Sequence, residues 1–138
     1  MKNRFFSYVI LIALIALACF TGCEEEKGQQ YDYYRISVDS IEVPDTATAQ
    51  KTFSVRFYGT VGEDGCHSFS HFNTQRSPGN LDIEVVGQVA TGDDLACPDE
   101  MVYLDGEPLE MSVSEPGEFT IKVFQPNNTI FRRVIQIE

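Results

Sequence analysis

Thr52-Phe53-Ser54-Val55-Arg56-Phe57-Tyr58 alternates apolar and polar side chains with a period of two. In an extended strand successive side chains point to opposite faces, so Phe53, Val55 and Phe57 share a dry face while Thr52, Ser54, Arg56 and Tyr58 share a wet one. The same period recurs at Leu81, Ile83 and Val85 against Asp82 and Glu84, and at Phe119, Ile121 and Val123 against Thr120 and Lys122. Clean alternation of this kind is expected of half-buried antiparallel strands, and residues 31–138 contain no convincing helical repeat.

Turn-forming clusters punctuate the strands: Val43-Pro44-Asp45, Gly62-Glu63-Asp64-Gly65, Ser77-Pro78-Gly79-Asn80, Thr91-Gly92-Asp93-Asp94, Asp105-Gly106-Glu107, Glu115-Pro116-Gly117 and Gln125-Pro126-Asn127-Asn128. Each supplies Gly, Pro, Asn or Asp where the chain must reverse. The strands implied lie near 33–43, 52–61, 66–74, 80–89, 100–104 with 108–113, 118–124 and 129–137. About seven strands with turns at short spacing predict an all-β, immunoglobulin-like antiparallel sandwich, with a closed barrel as the alternative. Pro116-Gly117-Glu118-Phe119-Thr120-Ile121-Lys122-Val123 resembles the penultimate strand of bacterial immunoglobulin-like modules. The chain has no Trp, so the Cys-Trp-Cys core of antibody domains is absent.

The first 22 residues have a different character. Lys2 and Arg4 precede an apolar run from Phe5 to Phe20, and these 16 residues fall short of the roughly 20 that a bilayer span requires. A cleaved signal peptide over 1–22 is the expectation. The stretch that ends it, Phe20-Thr21-Gly22-Cys23, resembles the lipobox of bacterial lipoproteins, although Leu is usual where Phe20 stands. The resemblance implies that Cys23 becomes the acylated N-terminus and anchors the chain to a membrane. Residues 23–30 then form an acidic tether, and Glu24, Glu25 and Glu26 resemble signals that send some Gram-negative lipoproteins to the outer face of the outer membrane.

Charge narrows the partners. The full chain has a net charge of −11, and loss of Lys2 and Arg4 leaves 8 basic residues against 21 acidic ones, or −13. Nucleic acid is not expected, since phosphate binding needs a basic face. Attraction to anionic lipid is excluded on the same ground, so attachment falls to the lipid on Cys23.

With Cys19 in the removed segment and Cys23 lipidated, as the resemblance implies, Cys66 and Cys97 are left to pair in an oxidising compartment. Such a bridge gathers six carboxylates: Glu63 and Asp64 before Cys66, and Asp93, Asp94, Asp99 and Glu100 around Cys97. That density suits either a solvated acidic rim or, more weakly, a Ca²⁺ site, although the spacing fits no established calcium loop. His67 and His71 stand four apart in an expected strand, which places them on one face about 13 Å apart, too far to share a metal. No serine elbow, Cys-His pair or recognisable carboxylate pair is present, so no catalytic residue is assigned and an enzyme is not expected. Tyr31, Tyr33 and Tyr34 with Asp32 suit either edge-strand packing or an aromatic contact surface of the sugar-binding kind.

Taken together, the chain resembles the uncharacterised immunoglobulin-like envelope lipoproteins of Gram-negative bacteria. The resemblance implies an anchored, non-enzymatic binding or accessory module for a protein or glycan, with a protease-inhibitor-like domain as the alternative. No cofactor is expected beyond the calcium that the carboxylates around the disulfide suggest. Cys23→Ser is expected to abolish incorporation of labelled palmitate in cells, and undiminished labelling would contradict the lipobox reading.

Overall fold

The computed structural model describes residues 28–93 and 95–138. The expected signal peptide, Cys23, most of the tether and Asp94 lie outside the described residues. The remainder folds as nine strands with no helix among the described residues: β1 (Gln30–Arg35), β2 (Ser37–Glu42), β3 (Thr46–Ala47), β4 (Phe53–Gly62), β5 (His67–Ser77), β6 (Asn80–Thr91), β7 (Val102–Met111), β8 (Gly117–Phe124) and β9 (Ile130–Ile137). They form a β-sandwich. One sheet has the order β1-β6-β8-β9-β3 with β5 on the other edge of β6, and the second has the order β2-β4-β7.

The alternating segments become the core. Val55, Phe57, Ile83, Val85, Ile121, Val123 and Ile135 are completely buried, and Phe57 packs on Phe72 with ring centroids 4.8 Å apart. Polar residues between them face outward, as the period of two requires.

Three local irregularities depart from the expected layout, and the first two raise the strand count from about seven to nine. The expected first strand divides at Ile36, which is 1% exposed and donates its N–H to the Val85 carbonyl as the chain passes from one sheet to the other. Thr46 and Ala47 form a short parallel pairing with β9. The expected reversal at Asp105-Gly106-Glu107 is instead a bulge within β7: Tyr58 pairs with Asp105 and Phe57 with Glu107, leaving Gly106 unpaired at φ 79°. A positive φ at the extra residue favours Gly, so the same residue type serves a bulge here rather than a turn.

β6 organises the larger sheet. Its first edge pairs with β5 from His67 to Ser77. Its second edge is shared, Asn80–Ile83 lying parallel to β8 and Val86–Thr91 antiparallel to β1. In the immunoglobulin order the middle hairpin presents its first strand to the penultimate one; here its second strand, β6, takes that place and runs parallel to β8.

Among the described residues Gln125 is the one buried polar residue, and it closes a gap in the pairing. Its Oε1 accepts from the Val38 N–H at 3.0 Å and its Nε2 donates to the Val38 carbonyl at 3.3 Å, beside the irregularity between Val38 and Ser40 in β2. The side chain thus supplies the hydrogen bonds that a neighbouring strand would give. Gln125→Leu keeps the volume but leaves both backbone groups unpaired, and chemical denaturation is expected to show a loss of about 1–3 kcal/mol.

Candidate functional site

Two regions concentrate polar chemistry: the disulfide end of the sandwich and the outer face of the six-stranded sheet. At the first, Cys66 and Cys97 are bonded with Cα atoms 5.1 Å apart. The bridge ties the start of β5 to the exposed segment 95–101, which has no strand pairing of its own. The Gly65 N–H adds a hydrogen bond of 2.8 Å to the Pro98 carbonyl. Closing a loop with ends 31 residues apart in sequence contributes roughly 3.7 kcal/mol if the effect is taken as entropy of the unfolded chain.

Of the six expected carboxylates, Asp64 is held by local hydrogen bonds, and Asp94 lies outside the described residues. Asp64 folds back on its own turn, accepting from the Cys66 N–H at 2.9 Å and from His67 Nδ1 at 2.8 Å. Glu63, Asp93, Asp99 and Glu100 are exposed. Among the described residues, the single convergence of three potential ligand atoms is Asp64 with the sulfurs of Cys66 and Cys97. Those sulfurs are bonded to each other and offer no thiolate to a metal.

The two histidines do not share a face, which corrects the expectation. The register of β5 against β6 shifts between Phe69 and His71, so the period of two is broken at Ser70. His67 lies edge-on to Tyr34 at 5.8 Å and His71 to Tyr33 at 6.2 Å. Tyr33 and Tyr34 are consecutive in β1 and therefore point to opposite faces, carrying the histidines with them. Tyr34 faces inward over Gly87, where a side chain would collide with its ring, and its hydroxyl donates to the Val61 carbonyl at 2.6 Å. Burial first, and the charge of Asp64 second, raise the Tyr34 hydroxyl above its ordinary pKa.

Tyr33 and Tyr31 face outward, 62% and 41% exposed. Below them on the same face, Arg35 forms an ion pair with Glu84, whose other oxygen accepts from Asn73 at 2.9 Å. Lys122 donates to Asn80 at 2.7 Å and stands 3.6 Å from Asp82. Asn73, Gln75, Asp82, Glu84 and Phe124 line a hollow of about 290 Å³. The sequence shows these residues only as the polar half of an alternating pattern. Their convergence follows from β5 and β8 lying on opposite edges of β6, which no local motif announces.

The loops divide differently from an immunoglobulin end. Residues 61–66 and 90–99 meet through the disulfide, and Gln30 opposite Thr91 brings the start of β1 to them. Gln125 instead contacts Arg35 and Val38, which puts 125–129 some six residues down β6, or about 20 Å from that end. At the far end, Arg76, Pro78, Ser114, Pro116 and Phe119 enclose a hollow of about 380 Å³.

Comparison with protein-family models, with curated proteins and with solved structures finds no match to the chain. The functional reading therefore rests on the chain's own residues.

The Asp64 contacts set a pH dependence. Hydrogen bonds from His67 first and the Cys66 N–H second hold its carboxyl below the ordinary aspartate value. The contribution to stability is complete above that value, near pH 4, and is lost as pH falls toward the lowered value in the folded protein. Asp64→Asn is expected to flatten the fall of Tm below about pH 4; an unchanged profile would show that the contacts do not persist in solution.

Proposed function

We propose that the protein is a lipid-anchored envelope protein, exposed at the bacterial surface, that acts as a non-enzymatic binding module. The observation that carries this reading is where the chain enters the fold. Gln30 pairs with Thr91 at the disulfide end, and Gly28 and Gln29 before it are exposed. Seven residues from Cys23 to Gln30 reach at most about 25 Å, so an anchor on Cys23 holds that end near the membrane. The Pro78 and Pro116 end and both sheet faces then project away from it. The Cys66–Cys97 bond is consistent with residence outside the cytoplasm, where disulfides persist.

The disulfide end also suits a position beside a membrane: its exposed loops are held by a covalent bond and by backbone hydrogen bonds rather than by a core. A binding surface placed there would be sterically crowded by the bilayer. The outer face of the larger sheet runs away from the anchor and stays open.

Protease added to intact cells is expected to cleave the domain before the envelope is broken. Protection until lysis would place the domain in the periplasm and contradict surface exposure.

A further inference from the structure

We propose that the outer face of the six-stranded sheet binds a neutral glycan chain, laid along β6 from Tyr31 and Tyr33 to the hollow beside Phe124; this rests on the reading of the protein as an envelope binding module and names its partner. From Ala90, opposite Tyr31, to Glu84 at the hollow is six residues of strand, about 20 Å, enough for several sugar rings.

The chemistry of the face matches such a ligand. A pyranose ring offers a flat patch of C–H bonds rimmed by hydroxyls. Tyr31 and Tyr33 present exposed ring surface for the former, and the packing of Tyr33 against His71 orients it. Asn73, Gln75 and Glu84 carry amide or carboxylate groups, each with two polar atoms spaced to engage neighbouring hydroxyls. Several of these groups are fixed in advance. Arg35 and Asn73 hold Glu84, while Asn80 and Asp82 hold Lys122, so little side-chain freedom remains to be lost on binding.

Charge selects among partners. On this face Arg35, Lys122 and Arg132 balance Asp82, Glu84 and Glu118, although the chain as a whole carries −11. On the outer face of the smaller sheet, Arg56 stands against Glu42, Asp105 and Glu110. A cationic partner would be drawn to that acidic side, and an anionic polymer would be repelled by the protein. A neutral, polar ligand is what the balanced face accommodates. The fully buried core of a protein interface is depleted of charge, whereas Arg132 here stands between the exposed Ile130 and Val134.

The larger opening of about 650 Å³ between β5 and β7 is a poorer candidate. Arg76 bridges the two sheets there, donating to the Ser112 carbonyl at 3.0 Å while its guanidinium lies 5.6 Å from the Phe119 ring centre.

The test uses the full-length protein purified in detergent and four soluble neutral polysaccharides: laminarin, mixed-linkage β-glucan, mannan and dextran. Alginate serves as an anionic control. Because the chain has no Trp, quenching of tyrosine emission reports binding directly, and calorimetry gives the affinity. Saturable binding to at least one neutral polysaccharide is expected, weakened about tenfold by Tyr33→Ala and unchanged by Tyr103→Ala, an equally exposed residue on the other sheet. Asn73→Ala, also exposed, is expected to weaken it as well. Binding to none of the four, stronger binding to alginate, or binding indifferent to both Tyr33→Ala and Asn73→Ala would overturn the proposal. Anchoring and surface exposure are read separately by lipid labelling and protease access, so the glycan site can fail while the envelope reading stands.

Discussion

The structure depends on the double pairing of β6. A twelve-residue strand with β5 along one edge must satisfy its other edge along the same length, and neither β1 nor β8 is long enough to do so alone. The two share it, meeting near Glu84 and Val85, where the Ile36 N–H reaches the Val85 carbonyl and bridges the change of partner. Every buried backbone group needs a partner, and this arrangement meets that demand while letting the chain leave β1 for the other sheet. Gln125 belongs to the same junction. It lies where β8 ends and β2 begins, and its side chain replaces the strand that neither supplies.

The outer surface inherits this layout. Because β1 and β8 lie end to end beside β6, Tyr31 and Tyr33 of one and Lys122 and Phe124 of the other fall on a single continuous face. Arg35 ties the halves together, reaching both Glu84 on β6 and the Gln125 carbonyl. Partly exposed ion pairs such as Arg35–Glu84 add about 0–1 kcal/mol to stability, so their consequence here is placement rather than strength. The disulfide end depends on different physics. Leu95 and Met101 are exposed, so the segment beside Cys97 cannot be held by burial and relies on the covalent link and on Pro98 against Gly65.

Much of the fold was legible in the sequence because β4, β6 and β8 keep an unbroken period of two, and a buried face enforces that period residue by residue. The pairing of Cys66 with Cys97 was legible only through the lipoprotein resemblance, which sets Cys19 and Cys23 aside. What escaped were changes of phase. Gly106 read as a turn because a bulge and a reversal draw on the same glycine chemistry. His67 and His71 read as sharing a face because the extra residue at Ser70 leaves no trace in composition. The tyrosines of β1 read as either edge-strand packing or a contact surface, and the division between them was missed: adjacent strand residues must part, and Tyr34 finds room inside only because Gly87 lies beneath it. The place of β6 beside β8 was not legible either, since alternation reports which face is buried and not which neighbour is paired.

Native-state amide hydrogen exchange tests the dependence on β6 most directly. If both parts of the larger sheet rely on it, the amides of Leu81, Ile83 and Val85 exchange only through global unfolding, and none in β1, β8 or β9 outlasts them. Exchange of these β6 amides through local opening, while β4 and β8 stay protected, would contradict the account.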